Sequence, residues 1–172
     1  MKRVAVTGLG VISPVGNDVP TFWNALCSGT CGIGPITKFD ATDYPVKLAA
    51  EVRDFDPKQY MEKLDILHSD VYTHFAMAAA CQAVADSGIA GTLDAERVGV
   101  YIGSGIGGIA TFMTEHSKLL NRGPRRVSPY FIPMMIPNMA SSMIAMRYHF
   151  HGPAMPMVTA CASGTNAIGE AL

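Results

Sequence analysis

Charge is scarce in this 172-residue sequence: Asp, Glu, Lys and Arg make up 16% of it, and the net charge at neutral pH is -1. A balance so near zero gives no global electrostatic reason to expect nucleic acid or an anionic membrane as partner. Cysteine is also sparse. Cys27, Cys31, Cys81 and Cys161 have neither the density nor the spacing of a disulfide framework, and no signal-peptide apolar region precedes the first strand-like run. These features predict a reducing, cytoplasmic setting. No apolar run reaches about 18 residues without a charge or turn residue, so a membrane span is not expected. Short repeats, low-complexity tracts and linkers are missing too. What is abundant is apolar side chain: 49% hydrophobic content supports one sizeable core and argues against disorder.

Arg3 to Thr7 reads as a buried strand, with Gly8-Leu9-Gly10 and Ser13-Pro14-Val15-Gly16 as a turn-rich return. Asp18 is placed to cap a helix over Val19 to Leu26, with Pro20 in its first turn and Gly29 as its stop. Cys27 and Cys31 lie around that helix end. With no second ligand pair nearby, their spacing reads as small buried or half-buried thiols rather than a metal site. Residues 32–45 read as loop, Val46 to Val52 as a strand, and Asp56-Pro57 as the start of a short helix. The clearest helical pattern runs from Ser69-Asp70 to Ser87 and is ended by Gly88. It predicts a buried face of Val71, Phe75, Ala78, Ala79 and Ala83. Within that helix Cys81 is expected to be a packing residue and His74 a surface residue. A further strand, Val98 to Ile102, and a helix opened by Pro137-Asn138 and stopped by His151-Gly152-Pro153 complete the pattern. The order of elements predicts an α/β layered domain with at least partly parallel strands.

Three stretches point to chemistry. Gly103-Ser104-Gly105-Ile106-Gly107-Gly108 follows a strand and precedes a helix in the G-x-G-x-x-G spacing of a dinucleotide site. That fingerprint wants an acidic residue about 20 positions on to bind ribose, and none occurs between Glu115 and Glu170. The other reading is that these glycines let the backbone approach another element or a ligand closely. Lack of acids over 116–169 leaves Lys118, Arg122, Arg125, Arg126 and Arg147 as an uncompensated basic set, with Arg125-Arg126 in a Gly-Pro turn suited to an acidic partner. Seven of the eleven methionines fall between 134 and 157, a density that suits plastic core packing, a long apolar ligand or a partner subunit.

The third stretch, Pro156 to Gly169, is a short β-prone run that meets Cys161 and then opens a helix on small residues. A helix start supplies unpaired N–H groups and the positive end of a dipole, both of which favour an anionic sulfur, and small neighbours leave room for a substrate. His149 and His151 flank the preceding helix end. Nothing in the spacing brings either one to Cys161.

Four motifs occur in order: Arg3 to Gly16, Ile102 to Gly108, Gly123-Pro-Arg-Arg-Val-Ser-Pro129 and Thr159-Ala-Cys-Ala-Ser-Gly164. With them the chain resembles, over nearly all of residues 1–172, the N-terminal part of an elongating-type β-ketoacyl-acyl carrier protein synthase, a thiolase-fold condensing enzyme. The resemblance implies a thiolase-like layered α/β/α/β/α fold, the chain covering most of the first of two βαβαβαββ halves. It implies that Cys161 accepts an acyl chain as a thioester, and that the carbanion from decarboxylated malonyl carrier protein then attacks it, dividing one hard bond formation into two steps. The Cys161 N–H would form part of the oxyanion hole. By the same resemblance Ile106, Phe131 and Ala160 belong to the acyl pocket, Phe131 reaching it from the partner subunit, and Arg125 and Arg126 meet the acidic acyl carrier protein. No metal or organic cofactor is implied. The expected assembly is a homodimer, with a heterodimer as the alternative.

Two departures bear on the transfer. Leu64 to Ser69 and Val71 replace a stretch around Asp70 that is usually basic in the family, which suggests weaker docking or a dedicated carrier. Family subunits are also more than twice as long, and their two active-site histidines, a lysine and a gating phenylalanine lie beyond the part matched here. The 172 residues alone are therefore expected to expose a large apolar face and to be unable to complete a condensation. A ketosynthase of a type II or aryl-polyene polyketide pathway is the alternative within the superfamily. A nucleotide-binding oxidoreductase is the alternative from another class.

Overall fold

The computed structural model describes residues 3–172. Asp18 caps the first helix, α1 (Val19–Cys27), accepting hydrogen bonds from the Thr21 N–H and hydroxyl, each at 2.8 Å. These bonds satisfy donors that a first turn leaves free. The next segment, expected to be loop, contributes β1 (Ile33–Pro35), which pairs antiparallel with β2 (Leu48–Ala50) in the register Ile33 to Ala50. Glu51 secures this ribbon by accepting from the Thr37 hydroxyl at 2.6 Å and from the Thr37 and Lys38 N–H groups. The Thr37 hydroxyl bond is the main cause of its lowered pKa. None of the α1 residues is buried, and Cys27 and Cys31 are exposed rather than buried. Only one side of α1 is partly covered, Val19, Phe22 and Ala25 being half-buried, and both cysteines lie outside it.

A short α2 (Lys63–Leu67) leads into α3 (Val71–Ser87). Asp70 caps α3 through the Tyr72 N–H, and Gly88, left-handed at φ 64°, ends it at the residue the sequence predicts. Its buried face differs from the expected one. Thr73, His74, Met77 and Ala78 are buried, whereas Val71 is 41% exposed and Phe75, Ala79 and Ala83 are half-buried. The helix is apolar on nearly every side, so periodicity alone could not select the inner face. Residues 8–12 lie against its second face, where Gly8 and Gly10 leave no room for a β-carbon above the carbonyls of Ala83 and Ala79. Leu9 and Val11 donate their N–H groups to the Asp86 carboxylate and the Gln82 side chain, each at 3.0 Å.

Arg3 to Thr7, expected as a buried strand, is exposed and belongs to no sheet; Val4 is 65% and Val6 80% exposed. A strand needs a ladder partner, and none of the described residues supplies one.

The central ladder joins β3 (Val100–Gly103) to β4 (Ala154–Met157) in parallel, with Val100 opposite Ala154 and Gly103 opposite Met157. The crossover between them carries α4 (Ile109–Arg122), α5 (Phe131–Met135) and α6 (Met139–Tyr148). Side chains alternate along a strand. Val100 faces a core shared with Met61, Met77, Ile144 and Ala145, and Ile102 packs against the same cluster. Gly103 faces the other way, onto the first turn of α7 (Ser163–Ala171). Helices thus cover both faces of the ladder.

Beside it, α3, β3, α7 and residues 8–12 border an open apolar groove of about 940 Å³ lined by Phe75, Ala79, Ile102, Ala167 and Ile168. No helix among the described residues is long and apolar enough to cross a membrane.

Candidate active site

β4 ends at Met157, and the chain then makes a 3-10 turn, Ala160–Ala162, before α7 begins. Cys161 sits in that turn with its side chain exposed. It therefore stands on a tight connection between strand and helix rather than on the strand end itself. Ala160 adopts φ 50°, a left-handed conformation that costs an L-residue about 1–2 kcal/mol. Ser163, 3% exposed, holds the chain in it: its hydroxyl accepts from the Thr159 N–H at 2.9 Å and donates to the Ala160 carbonyl at 2.7 Å. Asn166 adds a bond from its side-chain amide to the Thr159 hydroxyl at 2.8 Å. No carbonyl among the described residues accepts from the Cys161 N–H. The outcome is an exposed thiol whose own N–H has no backbone acceptor among the described residues, while the Thr159, Ala162 and Ser163 N–H groups are engaged within the turn.

The glycine-rich loop after β3 backs this turn. At Gly103 a β-carbon would overlap the Ser163 carbonyl, and at Gly105 it would stand 3.5 Å from Ala160. Gly108 lies against Met134 and Met135 and donates its N–H to the Met135 carbonyl at 2.8 Å. Ser104 continues the parallel ladder by donating its N–H to Met157 at 3.0 Å. Gly103 and Gly108 of the G-x-G-x-x-G spacing are thus closed over by this chain's own backbone, while Gly105 is in ordinary contact with Ala160, which supports the close-approach reading of the motif.

The other residues singled out from sequence are distributed as follows. Ala160, which precedes Cys161, is adjacent to Gly105, and Ile106, on the same loop, is 66% exposed. Phe131 begins α5 with its ring 6.2 Å from that of Phe112 on α4. Arg125 and Arg126 lie exposed on the 3-10 turn Pro124–Arg126, which follows α4. The basic set is not wholly uncompensated: Lys118 pairs with Glu115 at 2.6 Å. Glu115 immediately precedes the acid-free stretch. The helical i, i+3 spacing was the available signal.

None of the five histidines is hydrogen-bonded to Cys161. His74 is buried, not on the surface, with its Nε2 between the Ile66 carbonyl at 3.3 Å and the Ser69 hydroxyl at 3.1 Å. Burial lowers its pKa, and these contacts and Asp70 oppose the shift only partly. His68 stacks on Tyr130 and His116 on Phe112. His149 ends α6 with φ 54°, and His151 bonds Glu96 at 2.9 Å. His151 precedes β4 and Cys161 follows it, so an extended strand rising about 3.3 Å per residue separates them.

Asp70 was legible as a helix cap, but not as a link. Its second carboxylate oxygen accepts from the Thr111 N–H at 2.8 Å, so one side chain caps α3 and α4 together.

Comparison with known proteins gives a consistent result. The family model described as Beta-ketoacyl synthase, N-terminal domain, matches residues 1–172. A 3-oxoacyl-acyl-carrier-protein synthase 2 of Coxiella burnetii is 49% identical over 171 residues, covering 99% of this chain and 41% of the relative. A protein of the same name in Synechocystis is 46% identical with the same coverage. The chain thus spans about 41% of the length of these curated relatives. Among solved structures, a beta-ketoacyl synthase from Burkholderia phymatum aligns with a TM-score of 0.84 at 26% identity, covering 99% of this chain and 42% of that one. The ishigamide ketosynthase/chain length factor aligns at 0.81 with 28% identity, covering 96% and 42%. The fold shared with these structures is the thiolase-like α/β fold, of which this chain makes the N-terminal half.

Proposed function

The chain belongs to the β-ketoacyl synthase family, and we propose that it supplies the nucleophile half of a 3-oxoacyl-acyl carrier protein synthase acting in fatty acid elongation. The observation that carries this reading is the exposed Cys161 on a strained turn at the start of α7, backed by glycine. In the proposed first step the Cys161 sulfur attacks the acyl thioester carbonyl. The carrier's thiol leaves, and a new thioester forms on the cysteine. In the second, malonyl carrier protein loses carbon dioxide and its α-carbon attacks the acyl-cysteine. Carbon-sulfur cleavage returns the Cys161 sulfur, and the chain has grown by two carbons. The free Cys161 N–H suits the oxyanion of both tetrahedral intermediates.

Ile106 and Phe131, with Ala160, are the residues we assign to the acyl pocket, and Arg125 and Arg126 to carrier docking. The exposure of the two arginines supports the latter. A homodimer fits the second edge of β4, which has no ladder partner among the described residues, and the exposed Met146 and Met155 nearby. The base is absent from these residues, since no histidine meets Cys161. The 172 residues alone should therefore not turn over.

The test is to incubate the intact protein with acyl carrier protein carrying a long acyl chain and to locate the acyl group by peptide mass spectrometry. Acylation at Cys161, lost in Cys161→Ala, is expected. Acylation at Cys27, Cys31 or Cys81 with Cys161 unmodified would overturn the assignment. A polyketide ketosynthase is the second reading, favoured by the missing basic stretch around Asp70. Preference for polyketide over saturated acyl starters, measured on the same protein, would select it.

A further inference from the structure

We propose that Glu115 is a positioning residue for carrier docking, holding the Arg125–Arg126 turn at a set distance and orientation from α4. The inference rests on the docking reading given above.

Glu115 is a carboxylate only 4% exposed, and the proposed chemistry does not use it. Its two oxygens are divided between two tasks. Oε1 accepts from Lys118 Nζ at 2.6 Å, one helical turn further along α4. Oε2 accepts from the Ser128 N–H at 2.7 Å, two residues beyond Arg126. The turn leaves α4 at Gly123, which adopts φ 82°. It then closes through two local bonds only, Arg126 N–H to Gly123 at 3.1 Å and Val127 N–H to Pro124 at 3.3 Å. Such water-exposed bonds contribute little to holding a loop. The Glu115 bond therefore decides whether the far end of the turn is tied to the same rigid helix as the near end.

The charge pattern points the same way. Glu115 neutralises Lys118, while Arg125 and Arg126 form no ion pair among the described residues. One cation of the basic set is thus spent on structure, and Arg125 and Arg126 are among those left facing solvent. Beyond the turn, Ser128 accepts from the Phe131 N–H at 3.1 Å, so the same anchor sets where α5 begins. Two guanidinium groups held in fixed relation lose less side-chain and loop entropy on meeting an acidic protein surface than two on a mobile loop.

The experiment compares Glu115→Gln and Glu115→Ala in the intact protein, assayed with the same acyl group on acyl carrier protein and on N-acetylcysteamine, which has no protein surface to dock. For Glu115→Ala the KM for the carrier-borne substrate should rise about tenfold with kcat within about twofold, and the KM for the N-acetylcysteamine thioester should not change. Glu115→Gln, which keeps a neutral acceptor for the Ser128 N–H, should show a smaller rise of the same kind and carries the test if the alanine variant fails to fold. Arg125→Ala/Arg126→Ala should raise the carrier KM in the wild type and add little on top of Glu115→Ala. Equal losses with both substrates, a fall in kcat alone, no change in either KM, or full additivity would overturn the inference. Failure of the wild-type protein to condense either substrate would instead overturn the proposed function, and the inference with it.

Discussion

Gly103 and Ser163 meet backbone to backbone: a β-carbon at position 103 would overlap the Ser163 carbonyl and come within 2.6 Å of the Gly164 nitrogen. The last residue of β3 thereby sets the height of α7 and of the turn that carries Cys161. Gly103→Ala should destabilise the intact protein by about 1–3 kcal/mol, the usual cost of overfilling a packed contact, because only backbone could yield. It should also slow acylation of Cys161. Urea denaturation and the rate of thioester formation check the two parts separately.

Ser163 is predicted to matter for stability as well as for geometry. Ser163→Ala removes the buried hydroxyl that links the Thr159 N–H to the Ala160 carbonyl. Losing a hydrogen bond of this kind costs about 0.5–1.5 kcal/mol. The loss should be accompanied by slower alkylation of Cys161 by iodoacetamide, since the strained Ala160 conformation is no longer held. Unchanged alkylation would mean that the turn is maintained by the rest of the fold.

Asp70 joins two helices through one carboxylate. Asp70→Ala removes two caps at once and should lower stability by about 2 kcal/mol, whereas Asp70→Asn, which keeps one acceptor oxygen, should lose less. Chemical denaturation of both variants provides the comparison. An alanine variant as stable as wild type would show that the Thr111 contact adds nothing.

His74 makes stability depend on pH in a stated direction. With the Ser69 hydroxyl donating to the Asp65 carbonyl, Nε2 carries the proton and donates to Ile66 and Ser69. Its pKa is lowered by burial from the ordinary 6.5. The unfolded chain consequently binds the proton more readily, and the contribution is complete above pH 6.5 and declines as pH falls from there through the lowered folded value. Unfolding free energies measured across that range should fall with acidification, and His74→Gln should flatten the slope. An equal slope in the variant would remove His74 as the cause.

Local chemistry made some of this architecture readable from sequence. Asp18 and Asp70 announce helix starts because a short side-chain oxygen satisfies backbone donors two or three residues on. Gly88 announces a helix end because it alone enters the left-handed region without strain. The motif around Cys161 was equally legible, since the cysteine and the small residues after it are written contiguously.

Long-range relationships were not. Which side of α3 is buried depends on what lies against it, and an alanine-rich helix looks alike from several directions. The burial of His74, the Glu115 link to Ser128 and the exposure of Cys27 and Cys31 all turn on partners distant in sequence or simply lacking among these residues. The strand expected over Arg3 to Thr7 has the right composition and no neighbour to pair with. Sequence by itself therefore determined the caps, the motif around Cys161 and the family. Tertiary structure alone decided that the glycine loop after β3 packs closely against the start of α7 and against α5, because only the folded chain shows which backbone meets Gly103 and Gly108.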